Sequence, residues 1–129
     1  MVRSALPTDA ELQILSVLWK RGPATVREVH ESLAGVQDTG YTTVLKLMQI
    51  MAQKGFVERD ETNRSHVYRA AITEEQAQKG LLGQLMDKAF SGSAAQLVMR
   101  ALAMQPASTD EIDEIRSMLE QIEAQRAKK

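Results

Sequence analysis

YTTVLKLMQIMAQKG (residues 41–55) is followed by FVERDE (56–61), TNR (62–64) and SHVYRA (65–70), and this stretch decides the fold. Val44, Leu47, Met48 and Met51 recur at i, i+3, i+4 and i+7, so one side of a helix over Tyr41–Lys54 is apolar. Thr42, Thr43, Lys46, Gln49 and Gln53 then fall on the other side. Gly55 stands where a helix ends in a left-handed residue. Beyond it, residues 56–59 and 66–69 are β-prone runs around a polar turn with Asn63 and Arg64, which reads as a hairpin.

Working outward, two more helices precede this unit. Thr8 with Glu11, and Thr25 with Glu28, have the spacing of capping boxes. Leu12, Leu15, Val17, Leu18 and Trp19 give the first helix its apolar stripe before Gly22-Pro23 stops it. Val26, Val29 and Leu33 do the same for a second helix of about ten residues. The polar stretch Gln37 to Gly40 links it to the third. Three helices closed by a hairpin predict a winged helix-turn-helix over residues 1–72.

After residue 72 strand signals stop. Thr73 with Gln76, and Ser108 with Glu111, cap further helices. Another lies between Ser91-Gly92-Ser93 and Pro106. Leu82, Leu85, Leu97, Leu102, Ile115, Met118, Leu119 and Ile122 form apolar stripes on three short helices, too little for a compact core. Residues 73–129 are therefore expected to form a helical dimerisation region. The expected fold class is mainly α with a small β-hairpin wing.

Composition narrows the function. The chain has 129 residues, no cysteine and a net charge of -1. Disulfides, thiol catalysis and thiolate metal sites are excluded. Charge is distributed unevenly: residues 39–71 hold five Lys+Arg against three Asp+Glu, whereas residues 73–129 hold seven against nine. Apolar runs are too short to span a bilayer, and no apolar signal core opens the chain, so a cytoplasmic location without membrane insertion is expected. His30 and His66 lie apart, and no phosphate loop or hydrolase motif is present, so neither an enzyme nor a cofactor is expected.

In helix-turn-helix docking, the start of the third helix reaches base edges, and a residue at the wing tip would reach the sugar-phosphate backbone or the minor groove. Thr42, Thr43, Lys46 and Gln49 are therefore candidate DNA contacts, with Arg64 at the wing tip. The expected partners are double-stranded operator DNA and a second copy of the chain, since two joined units match a palindrome. A ligand-responsive regulator and a winged-helix protein-interaction module remain alternatives.

LPTDAELQILSVLWKRGPATVREVHESL (6–33), GYTTVLKLMQIMAQKGFVERD (40–60), NRSHVYRA (63–70), FSGSAAQLVMRAL (90–102) and STDEIDEIRSMLEQIE (108–123) together resemble the penicillinase-repressor family, the BlaI/MecI/CopY group. The resemblance implies a homodimeric transcriptional repressor with an N-terminal winged helix and a C-terminal dimerising region. In the antibiotic-responsive branch of that family, a membrane sensor protease, or a protease downstream of it, releases the operator by cutting the repressor in its dimerising region, and the resemblance raises that route for this chain. The bond cleaved in the β-lactam branch, Asn-Phe there, corresponds to Arg100-Ala101 here. The cysteine cluster of the copper-responsive branch is absent.

Overall fold

The computed structural model describes residues 6–35 and 39–128. Helices α1 (Asp9–Arg21) and α2 (Val26–Leu33) flank a two-residue strand, β1 (Ala24–Thr25). Helix α3 (Tyr41–Lys54) leads into β2 (Val57–Asp60) and β3 (Val67–Ala70). Three helices follow: α4 (Glu74–Ala89), α5 (Ala94–Met104) and α6 (Thr109–Ala127). The chain is mainly helical with a small antiparallel sheet, as its sequence predicts.

Local chemistry starts these helices where the sequence places them. Thr8 and Glu11 exchange both capping hydrogen bonds, as do Thr25 with Glu28 and Ser108 with Glu111. Thr73 and Gln76 bond reciprocally at the head of α4, and Ser93 accepts from the Gln96 amide at the head of α5. Gly55 adopts φ 86°, ψ 12° after α3, a left-handed backbone that costs other residues energy.

Strand β1 is absent from the sequence reading. It is too short to show a pattern, and it exists because Ala24 and Thr25 pair with Tyr68 and Val67. The sheet order is β1-β3-β2, so the second wing strand is central. Both hairpin strands begin one residue later than expected. Phe56 is instead buried ahead of β2, and α2 has eight residues rather than ten. Of the expected linker Gln37 to Gly40, residues 37 and 38 lie outside the described residues.

Two compact units are present, Met1–Gln84 and Leu85–Lys129, with the division inside α4. In the first, Ile14, Leu15 and Leu18 of α1 join Val26, Val29, Val44, Met48, Met51, Val57 and Tyr68 in one core. Burying each such side chain contributes roughly 1.5–3 kcal/mol, so this unit contains its own stabilising centre. Ile14 belongs to that core although it lies outside the α1 stripe read from the sequence, and Leu12 of that stripe is only half-buried. Leu6 lies against α4 beside Gly80, where a Cβ would approach its Cδ2 to 2.8 Å. The second unit differs sharply: among its described residues none is buried.

Candidate nucleic-acid interface

Helix α3 is held by its apolar side and leaves its polar side free. Val44, Met48 and Met51 are buried, whereas Thr42, Thr43, Lys46, Gln49 and Gln53 are exposed. The helix carries no acidic residue. Its N-cap is Gly40, which offers no side-chain hydrogen bond. Among the described residues, all five other helices have one. Among the described residues no side chain caps the first amides of α3, so they and the positive end of its dipole are available to an anion.

The turn into α3 is tied from behind. His30 of α2 donates from Nε2 to the Thr39 carbonyl at 3.0 Å, and its ring meets Tyr41 edge-on at 6.0 Å. His30 therefore anchors the α2–α3 turn.

The far end of α3 is fixed by charge. Lys54 donates to Glu11 at 2.8 Å, and Glu11 is only 2% exposed. Burial, the largest influence, pushes the Glu11 carboxyl up. The hydrogen bonds from Lys54 and the Thr8 amide, with the Lys54 charge, outweigh it and hold the carboxyl below its usual range. Lys54 counts among the positive charges of residues 39–71, yet it is spent inward.

Two wing arginines are also committed. Arg69 donates to Glu58 across the β2–β3 register at 2.8 Å, and Arg59 donates to Glu61 at 2.8 Å. The Thr62 hydroxyl and amide donate to Asp60, closing the turn and lowering the Asp60 pKa. Arg64 is exposed at the tip, and among the described residues no carboxylate pairs with it or with Lys46.

Of the residues predicted to contact DNA, Gln49 and Arg64 line one open cleft between α2, α3 and the wing. Thr42, Thr43 and Lys46 lie on α3 outside that lining. Sequence reasoning passed over Arg27 and Tyr41, which share the cleft. Arg27 follows the capping Thr25 by two residues, a position that in this fold adjoins the third helix.

The residues predicted to dimerise are solvent-accessible throughout. Leu82, Leu85, Leu102, Met118, Leu119 and Ile122 are exposed, and Leu97 and Ile115 are half-buried. Arg100 and Ala101 are exposed within α5. Among the described residues no group of His, Asp and Glu could hold a metal, and no helix is long and apolar enough to cross a membrane.

Comparison with known proteins agrees with this geometry. A sequence model of the penicillinase repressor family matches residues 7–121. The transcriptional regulator BlaI of Mycobacterium tuberculosis is 31% identical over 117 residues, covering 90% of this chain and 84% of that protein. The methicillin resistance regulatory protein MecI of Staphylococcus aureus is 23% identical over 112 residues, covering 87% and 91%. A solved DNA-binding domain of the repressor BlaI is similar with a TM-score of 0.51 at 26% identity, covering 57% of this chain and 90% of that one. With the family's pattern running through nearly the whole chain and a winged helix at its head, the protein belongs to the penicillinase repressor family, whose members are transcriptional repressors and not enzymes.

Proposed function

We propose that this chain is a cytoplasmic homodimeric repressor that occupies a palindromic operator through α3 and the wing, and lets go when the dimer weakens. The reading is carried by α3, whose exposed side is polar apart from Tyr41 and Ile50, holds no acid, and starts at a glycine that gives no side-chain cap. Thr42, Thr43 and Gln49 are suited to base edges or phosphates, and Lys46 to a guanine edge or a phosphate. Arg64 follows the backbone at the wing tip.

Residues 85–129 support the dimer. Ile112, Ile115, Leu119 and Ile122 succeed one another at intervals of three, four and three, the spacing of a coiled-coil seam. A second copy offers the same seam, and its pairing would cover Leu119, which is 57% exposed. Joining two half-site readers supplies effective concentration, so separation costs affinity without altering either reader. Proteolysis near Arg100 and Ala101, by a sensor protease or one acting after it, would separate them. Because that bond lies inside α5, cutting it requires local unwinding first.

Footprinting on the DNA upstream of its own gene should reveal a symmetric protected site. Lys46→Ala with Arg64→Ala should lower the slope of log affinity against log salt by roughly 1.8, two phosphate contacts' worth. An unchanged slope would remove both residues from the DNA face. Failure of the unsubstituted protein to bind any duplex at low salt would overturn the repressor reading.

A further inference from the structure

The cleft between α2, α3 and the wing encloses about 630 Å³ and adjoins the outward face of α3. Its α3 wall is the Tyr41, Leu45, Gln49 flank, and Arg27, Arg59 and Arg64 reach it from α2, β2 and the wing turn. Among the described residues no carboxylate lines it. Arg59 is already bonded to Glu61, but among the described residues neither Arg27 nor Arg64 has an acidic partner. The start of α2 is not the source of attraction, because Glu28 already accepts from the Thr25 amide there. What draws an anion is a pair of uncommitted guanidinium groups facing one groove, each shaped for two-pronged contact with phosphate oxygens.

Position selects the anion. Gln49 belongs both to this cleft and to the exposed polar side of α3 that carries Lys46, so the cleft continues the surface assigned to DNA. A duplex that receives α3 in its major groove has a sugar–phosphate strand along the groove's rim, between the helix and the wing. We propose that the cleft seats that strand, with Arg27 and Arg64 each contacting a phosphate. Arg27 thereby becomes a DNA contact supplied by the helix before the recognition helix. This rests on the repressor reading and adds a residue and a strand to it.

The contact is sequence-independent, which makes it separable from base readout. Arg27 is exposed, so Arg27→Gln should leave the urea midpoint unchanged. In anisotropy titrations of the full chain across a salt series, Arg27→Gln should lower the log–log slope by about 0.9, equally for operator and unrelated duplex. Arg27→Lys should restore the slope, since the charge returns. An unchanged slope in Arg27→Gln, or a loss confined to operator DNA, overturns the proposal while the unsubstituted protein still binds. If the unsubstituted protein binds no duplex, the repressor reading falls as well. Titrations in phosphate and chloride at equal ionic strength should agree. Weaker duplex binding in phosphate that Arg27→Gln abolishes would mark a free-anion site and also overturn the proposal.

Discussion

A single carboxylate, Glu11, serves two ends of the winged helix at once. One oxygen accepts from the Thr8 amide at 2.9 Å to start α1, and the other accepts from Lys54 at 2.8 Å at the close of α3. Replacing it by glutamine leaves Lys54 facing an amide and should cost about 1–3 kcal/mol in urea denaturation. The cost falls below the ~3–5 kcal/mol usual for a broken buried pair, because the Lys54 side chain is 32% exposed. Since the folded carboxyl titrates below its unfolded value of 4.5, its contribution is complete above that pH. It disappears as acid passes the lower folded value. Stability should therefore decline below about pH 4.5, less steeply in Glu11→Gln than in the parent; equal slopes would assign the acid sensitivity elsewhere. The cap formed by Glu11 was legible because Thr8 is three residues away. Its burial was not, since Lys54 lies 43 residues later in the chain.

Among the elements, the contrast between α3 and its neighbours separates stability from function. Capping is local chemistry, so the starts of α1, α2, α4 and α6 could be read from residues three apart. Strand β1 could not, because two residues carry no period and their partner strand begins over 40 residues downstream. The same locality explains why Gly40 reads only as linker in the sequence: a missing cap leaves no signature. Gly40 has an extended backbone, φ −72°, ψ 160°, and open space where a Cβ would stand. Gly40→Asp should thus be accepted and stabilise α3 by about 0.5 kcal/mol through capping and the dipole. It should also weaken operator binding, because in the proposed complex the new charge would stand at the end of α3 nearest the phosphates. A more stable protein with undiminished DNA affinity would show that this helix end does not approach the backbone.

For the molecule as a whole, the two units have different sources of order. Residues of the first bury one another, whereas in the second the apolar side chains of α5 and α6 remain accessible. The helical periodicity of that region was plain in the sequence, but what covers its apolar side has no local signal. Leu119→Asp should shift sedimentation toward the monomer and reduce affinity for a full palindrome by about 100-fold or more, leaving half-site binding intact. A dimer that persists would move the seam off α6. Aromatic residues divide in the same way. The lone tryptophan, Trp19, donates its indole N–H to the Ile72 carbonyl at 2.9 Å, pinning α1 to the segment just before α4. Both tyrosines, Tyr41 and Tyr68, lie in the same first unit. Tryptophan and tyrosine emission therefore reports the DNA-reading half alone, while far-ultraviolet dichroism sums every helix. Melting curves recorded by the two signals will coincide only if the halves unfold as one, so the protein carries an intrinsic optical gauge of how tightly its winged helix is coupled in unfolding to its C-terminal helices.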